Sequence, residues 1–179
     1  MPVYLFTFHA YRSWNADHPR GFVQDQDRGY QPPNRALAKA YDRTATAPAA
    51  AFDPTAQDLL IRMAYDFCKR REYRPHGVGT DPTHVHIVLS WRDGASWTSV
   101  RQALKNLLSL GLNRMHPGRH SRWFSRGASC KRVRDAAHLR YLLETYLPRH
   151  RGRCWIEGDP APEPIPDKYK GSIDNEHGS

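Results

Sequence analysis

Cysteine is scarce in this 179-residue chain. Cys68, Cys130 and Cys154 are odd in number and form no C-x-x-C pair, which argues against a disulfide framework or a zinc knuckle and predicts reduced thiols. No run of about 18 apolar residues occurs, so no membrane-spanning helix is expected. The opening MPVYLFTFHAYRSW has neither a charged start nor a long apolar stretch, and the expectation is a soluble, unexported protein. No internal repeat is visible. Acidic residues are thin except at the end: residues 1–155 carry 25 Lys and Arg against 12 Asp and Glu, a net +13, and between Arg101 and Arg153 there are 13 cations against only Asp135 and Glu144. A field of that sign attracts phosphate backbones and makes such binding fall steeply with salt.

What is present fits one domain, since a chain of this size buries a sizeable core. The expected division is a domain over 1–155 and a polar, Pro-rich tail over 156–179, poorly ordered from about Gly158. The apolar, β-branched run VYLFTF predicts a strand at 3–8. The polar stretch from Ser13 to Asn34 is too long for a turn and reads as a functional or disordered loop. Asp53 caps a helix with Pro54 in its first turn, and Leu59, Leu60, Met63, Ala64, Phe67 and Cys68 form its core face. Strands follow near Tyr73–Val78 and His84–Trp91, then a helix capped by Ser96, a basic aromatic segment with one or two strands, and a helix from Asp135 to about Pro148. That order predicts an α+β fold, an antiparallel sheet with helices packed on it.

The stretch THVHIVLSW carries the first chemical signal. Alternate residues of a strand share a face, so Val85, Ile87 and Leu89 point to the core and His84 and His86 lie side by side on the other face. Two imidazoles on a rigid strand can bind one divalent ion, or they can merely hydrogen-bond. Val88 stands where a third alternating histidine would be needed for a histidine-triad hydrolase, which argues against that class.

The second signal is DAAHLRYLLETYLPRHRGR. At about 100° per residue, Leu139, Leu142, Leu143, Tyr146 and Leu147 fall on one face, which predicts Tyr146 in the core and Tyr141 free on the opposite side. A phenol with a pKa near 10 needs a metal or base to act as a nucleophile at neutral pH. A metal on His84 and His86 would polarise a scissile phosphate for attack by Tyr141, and Glu144, one turn along, is the candidate carboxylate ligand. Mn²⁺ or Mg²⁺ suits that ligand set.

The HVH motif with the downstream RYLLETYL helix resembles the single-tyrosine HUH transposases. The opening FTFHAYRSWNADHPRGFV and the segment SRGASCKRVRD resemble the REP-associated tyrosine transposase branch, and the likeness spans roughly residues 3–150. It implies a ferredoxin-like sheet with the histidines on a central strand and the tyrosine on a C-terminal helix. It also implies cleavage of single-stranded DNA beside a hairpin through a 5′-phosphotyrosine, in a bacterial, cytoplasmic, nucleoid-associated protein that can be a homodimer. Carried over by residue, His84 and His86 are metal ligands and Tyr141 the nucleophile, while the Gln or Asn usual after the tyrosine is missing. Trp14, Arg20, Tyr30, Arg122, Trp123, Arg126, Lys131, Arg132 and Arg140 mix cations with stacking surfaces and are the expected DNA contacts. A domesticated, noncatalytic hairpin DNA or RNA binder is the alternative reading.

Overall fold

The computed structural model describes residues 1–23, 30–118 and 122–169. Its main sheet is built from β1 (Val3–His9), β4 (Arg74–Asp81), β5 (His84–Ser90), β6 (Ser129–Arg132) and β7 (Cys154–Ile156), while β2 (Phe22–Val23) and β3 (Tyr30–Gln31) pair separately. The helices are α1 (Arg35–Arg43), α2 (Pro54–Arg70), α3 (Trp97–Met115) and α4 (Ala136–Tyr141). The sheet order is β6-β1-β5-β4-β7, antiparallel throughout. Reading β1-α2-β4-β5-α3-β6 along the chain, this is the ferredoxin-like arrangement expected from the sequence, with the two histidines on the central strand β5. Asp53, Ser96 and Asp135 cap their helices through side-chain acceptors, as their positions predict.

Both faces of the sheet are covered. Phe6, Phe8, Val85, Ile87 and Leu89 pack against α2 and α3 in the larger core. On the opposite face Leu5 and Val88 meet Val133, Leu142 and Leu147. The segment after α4 can lie this close because β4 presents glycine there: a Cβ on Gly77 would sit 2.7 Å from Leu147 Cδ1, and one on Gly79 3.1 Å from Leu147 Cδ2. Leu147 is fully buried, which stabilises the docking by about 1.5–3 kcal/mol.

Two features depart from the sequence reading. Helix α1 and the small cluster of Ala16, Phe22 and Ala38 give the early loop a core of its own. The chain does not leave the domain at Gly158 either: Ile165 is buried in the larger core, Arg62 pairs with Glu163 at 2.8 Å, and Asp167–Tyr169 forms a 3₁₀ turn. Proline spacing signalled a tail, whereas one well-placed isoleucine docks it. Residues 170–179, the rest of the expected tail, lie outside the described residues. No helix among the described residues is long and apolar enough to cross a membrane.

Candidate metal and nucleophile site

The antiparallel register puts His86 opposite Thr7 and His84 opposite His9. The sheet face at this end is therefore polar, while two residues further along the same strand Val88 is fully buried under Leu147. After Leu147 a short 3₁₀ turn, Leu147–Arg149, brings the chain back across the sheet and delivers His150. His84, His86 and His150 offer ligand atoms that all lie within 4.8 Å of one another. This group could hold a metal ion.

The tautomers favour it. His84 Nδ1 lies 2.9 Å from Thr83 Oγ1, whose hydroxyl donates to the Asp81 carboxylate, and 3.1 Å from that carboxylate, and His150 Nδ1 donates to the Leu147 carbonyl at 3.1 Å. With the Thr83 proton on Asp81 and a carbonyl that only accepts, Nδ1 is the donor in both rings and Nε2 is left to face the shared space. His86 Nδ1 is paired with Thr7 Oγ1 at 2.7 Å, which leaves its Nε2 facing the same space. Burial, followed by the charges of His84 and His150, pushes the His86 pKa down to about 2, so this ring is neutral as a ligand must be. Burial raises the Asp81 carboxyl, but hydrogen bonds from His84 and Thr83 outweigh it and hold it well below the usual carboxylate range. Each imidazole thus has an orienting partner behind it, which is how ligand geometry is fixed in metal sites.

Thr7→Val tests that shell. It removes the hydroxyl paired with His86 Nδ1 at nearly constant volume, so metal affinity measured by calorimetry is expected to fall about 10–100-fold. The circular dichroism spectrum should stay that of the parent.

As the helical wheel predicts, Tyr146 packs against the smaller core and Tyr141 is exposed, but the two rings are not on opposite sides. Tyr146 is partly buried and its Oη lies 3.2 Å from His86 Nε2, with its ring 5.1 Å from that of His150. Tyr141 is 48% exposed, and its ring is 6.3 Å from that of Tyr146. The reason is local: residues Leu142–Tyr146 form a π-helical turn, closed by the Leu147 N–H on the Leu142 carbonyl. In an α-helix, positions 141 and 146 would be about 140° apart. One i→i+5 turn brings them to nearly the same side. Burial, then Tyr141, raises the Tyr146 pKa, and the Arg20 charge opposes the rise. Glu144 is exposed and is not among the converging ligands, whereas His150, which sequence reasoning passed over, is. The signal was there as a histidine one turn beyond Tyr146, but Pro148 stood between them.

His150 is held by the loop beyond it. A Cβ on Gly152 would lie 2.2 Å from both the Thr80 carbonyl oxygen and Gln57 Oε1, so only glycine fits this approach. Gln57 Oε1 and Thr80 Oγ1 both accept from Arg153 N, at 3.1 and 3.0 Å. The loop after the 3₁₀ turn is thereby tied to α2 and β4.

The expected DNA contacts divide. Trp14 is partly exposed beside His9, stacked on His18 with ring centroids 3.8 Å apart, and Arg20 follows on the same loop. Burial, then the His84 charge, pushes the His9 pKa down to about 4. Lys131, Arg132 and Arg140 are exposed on β6 and α4, and Arg122 and Arg126 are exposed ahead of β6. Trp123 is a core residue instead, 2% exposed, with its indole N–H on Asn113 Oδ1, because the neighbouring Phe124 bridges to the end of β1 and carries it inward. The Tyr30 side chain lies outside the described residues.

No protein-family model matches the chain, and no curated protein does. Among solved structures the chain is similar to a REP-associated tyrosine transposase bound to a REP hairpin, at 12% identity and a TM-score of 0.43, over 78% of this chain and 61% of that one. This chain therefore spans less than two thirds of that protein. It is also similar to a candidate transposase from Deinococcus radiodurans R1, at 13% identity and a TM-score of 0.39, over 86% of this chain and 92% of that one.

Proposed function

We propose that this protein is a metal-dependent, transposase-like strand transferase that cleaves single-stranded DNA beside hairpins, with His84, His86 and His150 as the metal ligands and Tyr146 as the nucleophile. The observation that carries the reading is the convergence of three oriented imidazoles on one point with a phenol oxygen 3.2 Å from one of them. A divalent ion there would polarise the scissile phosphate and stabilise its developing charge. The Tyr146 oxygen attacks phosphorus in line, forming the O–P bond as the P–O3′ bond breaks. The phenol proton passes to solvent, and the departing 3′ oxygen takes one up. The product is a 5′-phosphotyrosine and a free 3′-OH, which can reverse the step. Trp14 and Arg20, on the loop beside the histidines, supply a stacking face and a cation for the strand. An all-histidine set favours Mn²⁺ or another transition ion over Mg²⁺, which prefers oxygen.

Incubation with a hairpin-bearing single strand and Mn²⁺ is expected to give a protein–DNA adduct that survives denaturation. Tight binding with no adduct on any hairpin would instead favour the noncatalytic hairpin binder.

A further inference from the structure

Away from the histidine face, a pocket of about 300 Å³ opens between α3 and the segment leading into β6. Tyr11, Lys105, Asn113, Arg122 and Arg126 line it, backed by buried Trp123 and Phe124, and no carboxylate among the described residues does. The Arg122 guanidinium lies over the Tyr11 ring, 5.9 Å from its centroid. Lys105 Nζ donates to the carbonyls of Ser125 and Arg126 at 2.6 and 2.8 Å, which braces the segment that carries the two arginines. Neither Arg122 nor Arg126 forms an ion pair among the described residues, and both are exposed. Packing therefore does not explain why cations gather here.

The pocket is at the same end of the sheet as the candidate site. Ser125 N donates to the His9 carbonyl at 2.9 Å, Tyr11 N donates to that of Trp123 at 2.8 Å, and His9 is the cross-strand partner of His84. Two strand spacings, roughly 10 Å, separate the backbone of His84 from the near wall. A nucleic acid strand leaving the histidines across the end of β1 meets it within a few nucleotides.

We infer that this pocket holds one unpaired nucleotide of the DNA strand, its phosphate between Arg122 and Arg126 and its base against Tyr11. The volume is at the small end of ligand sites, the size of one nucleotide and too small for a base pair. A cation pair with an aromatic face is the chemistry that grips single strands without needing a particular base. The assignment rests on single-stranded DNA being the substrate, but not on its cleavage.

The test uses full-length protein carrying Tyr146→Phe, without divalent metal, so that binding is read apart from cleavage. Fluorescence anisotropy compares one DNA hairpin with short oligothymidine tails on both sides and the same hairpin blunt. Tyr11→Ala is expected to weaken the tailed DNA about fivefold to a hundredfold and leave the blunt DNA unchanged. Arg122→Gln with Arg126→Gln, both at exposed positions, should do the same and lower the salt slope for tailed DNA by about 0.7 for each phosphate no longer neutralised. Equal losses on both DNAs would show only general attraction and overturn the assignment. So would unchanged affinity for tailed DNA, or failure of the parent to bind tailed DNA more tightly than blunt. A wild-type protein that makes no adduct, but whose variants lose tailed DNA selectively, would overturn the cleavage reading and keep this one.

Discussion

Tyr146→Phe is expected to abolish the covalent adduct, a loss of about 10³-fold or more, while Tyr141→Phe retains it within a few-fold. Phenylalanine keeps the ring that packs beside His86 and His150 and deletes only the oxygen 3.2 Å from His86 Nε2. Metal affinity and hairpin affinity should therefore be nearly unchanged, which separates loss of the nucleophile from loss of the site. Tyr141 stands one ring further out and half exposed, placed to touch a bound strand. Gel separation of adducts under denaturing conditions decides between them. Adduct formation by Tyr146→Phe and none by Tyr141→Phe would return the nucleophile to Tyr141, the position expected from the helical wheel.

His150→Ala is expected to weaken Mn²⁺ binding by about 10²-fold in calorimetry, and Glu144→Ala to leave it within twofold. The first removes one of three converging nitrogens, and two imidazoles on one strand make an open, weak site. The second removes an exposed carboxylate outside the cluster. His150 is only partly buried and its ring meets those of His84, His86 and Tyr146, so its alanine variant should keep the parent fold. Mn²⁺ should bind more tightly than Mg²⁺ to the parent protein, because imidazole nitrogen is a poor ligand for the harder ion. The opposite pattern, with Glu144→Ala losing the metal and His150→Ala keeping it, would assign the third ligand to the carboxylate.

Much of the fold was legible because its signals are local. The caps at Asp53, Ser96 and Asp135, the alternation of Val85, Ile87 and Leu89, and the apolar stripes of α2 and α3 each depend on residues a few positions apart. Helix α1 escaped because its segment is short and polar, strand β7 because three residues are too few to show an alternation, and the docking of Ile165 because a single apolar residue leaves no period to detect.

The site divides along the same line. Sequence alone determined that His84 and His86 share a face of a central strand, since strand geometry has a period of two. It also determined that a tyrosine-bearing helix follows a strongly basic segment. Only the tertiary structure brings Tyr146 to His86 and sets His150 beside both histidines. A π-helical turn rotates Tyr146 toward His86 in a way that a uniform 100° wheel cannot express. The third imidazole arrives from beyond Pro148, on a loop pinned by Gly152, Gln57 and Thr80, residues that are distant in sequence and adjacent only once α2, β4 and that loop have packed.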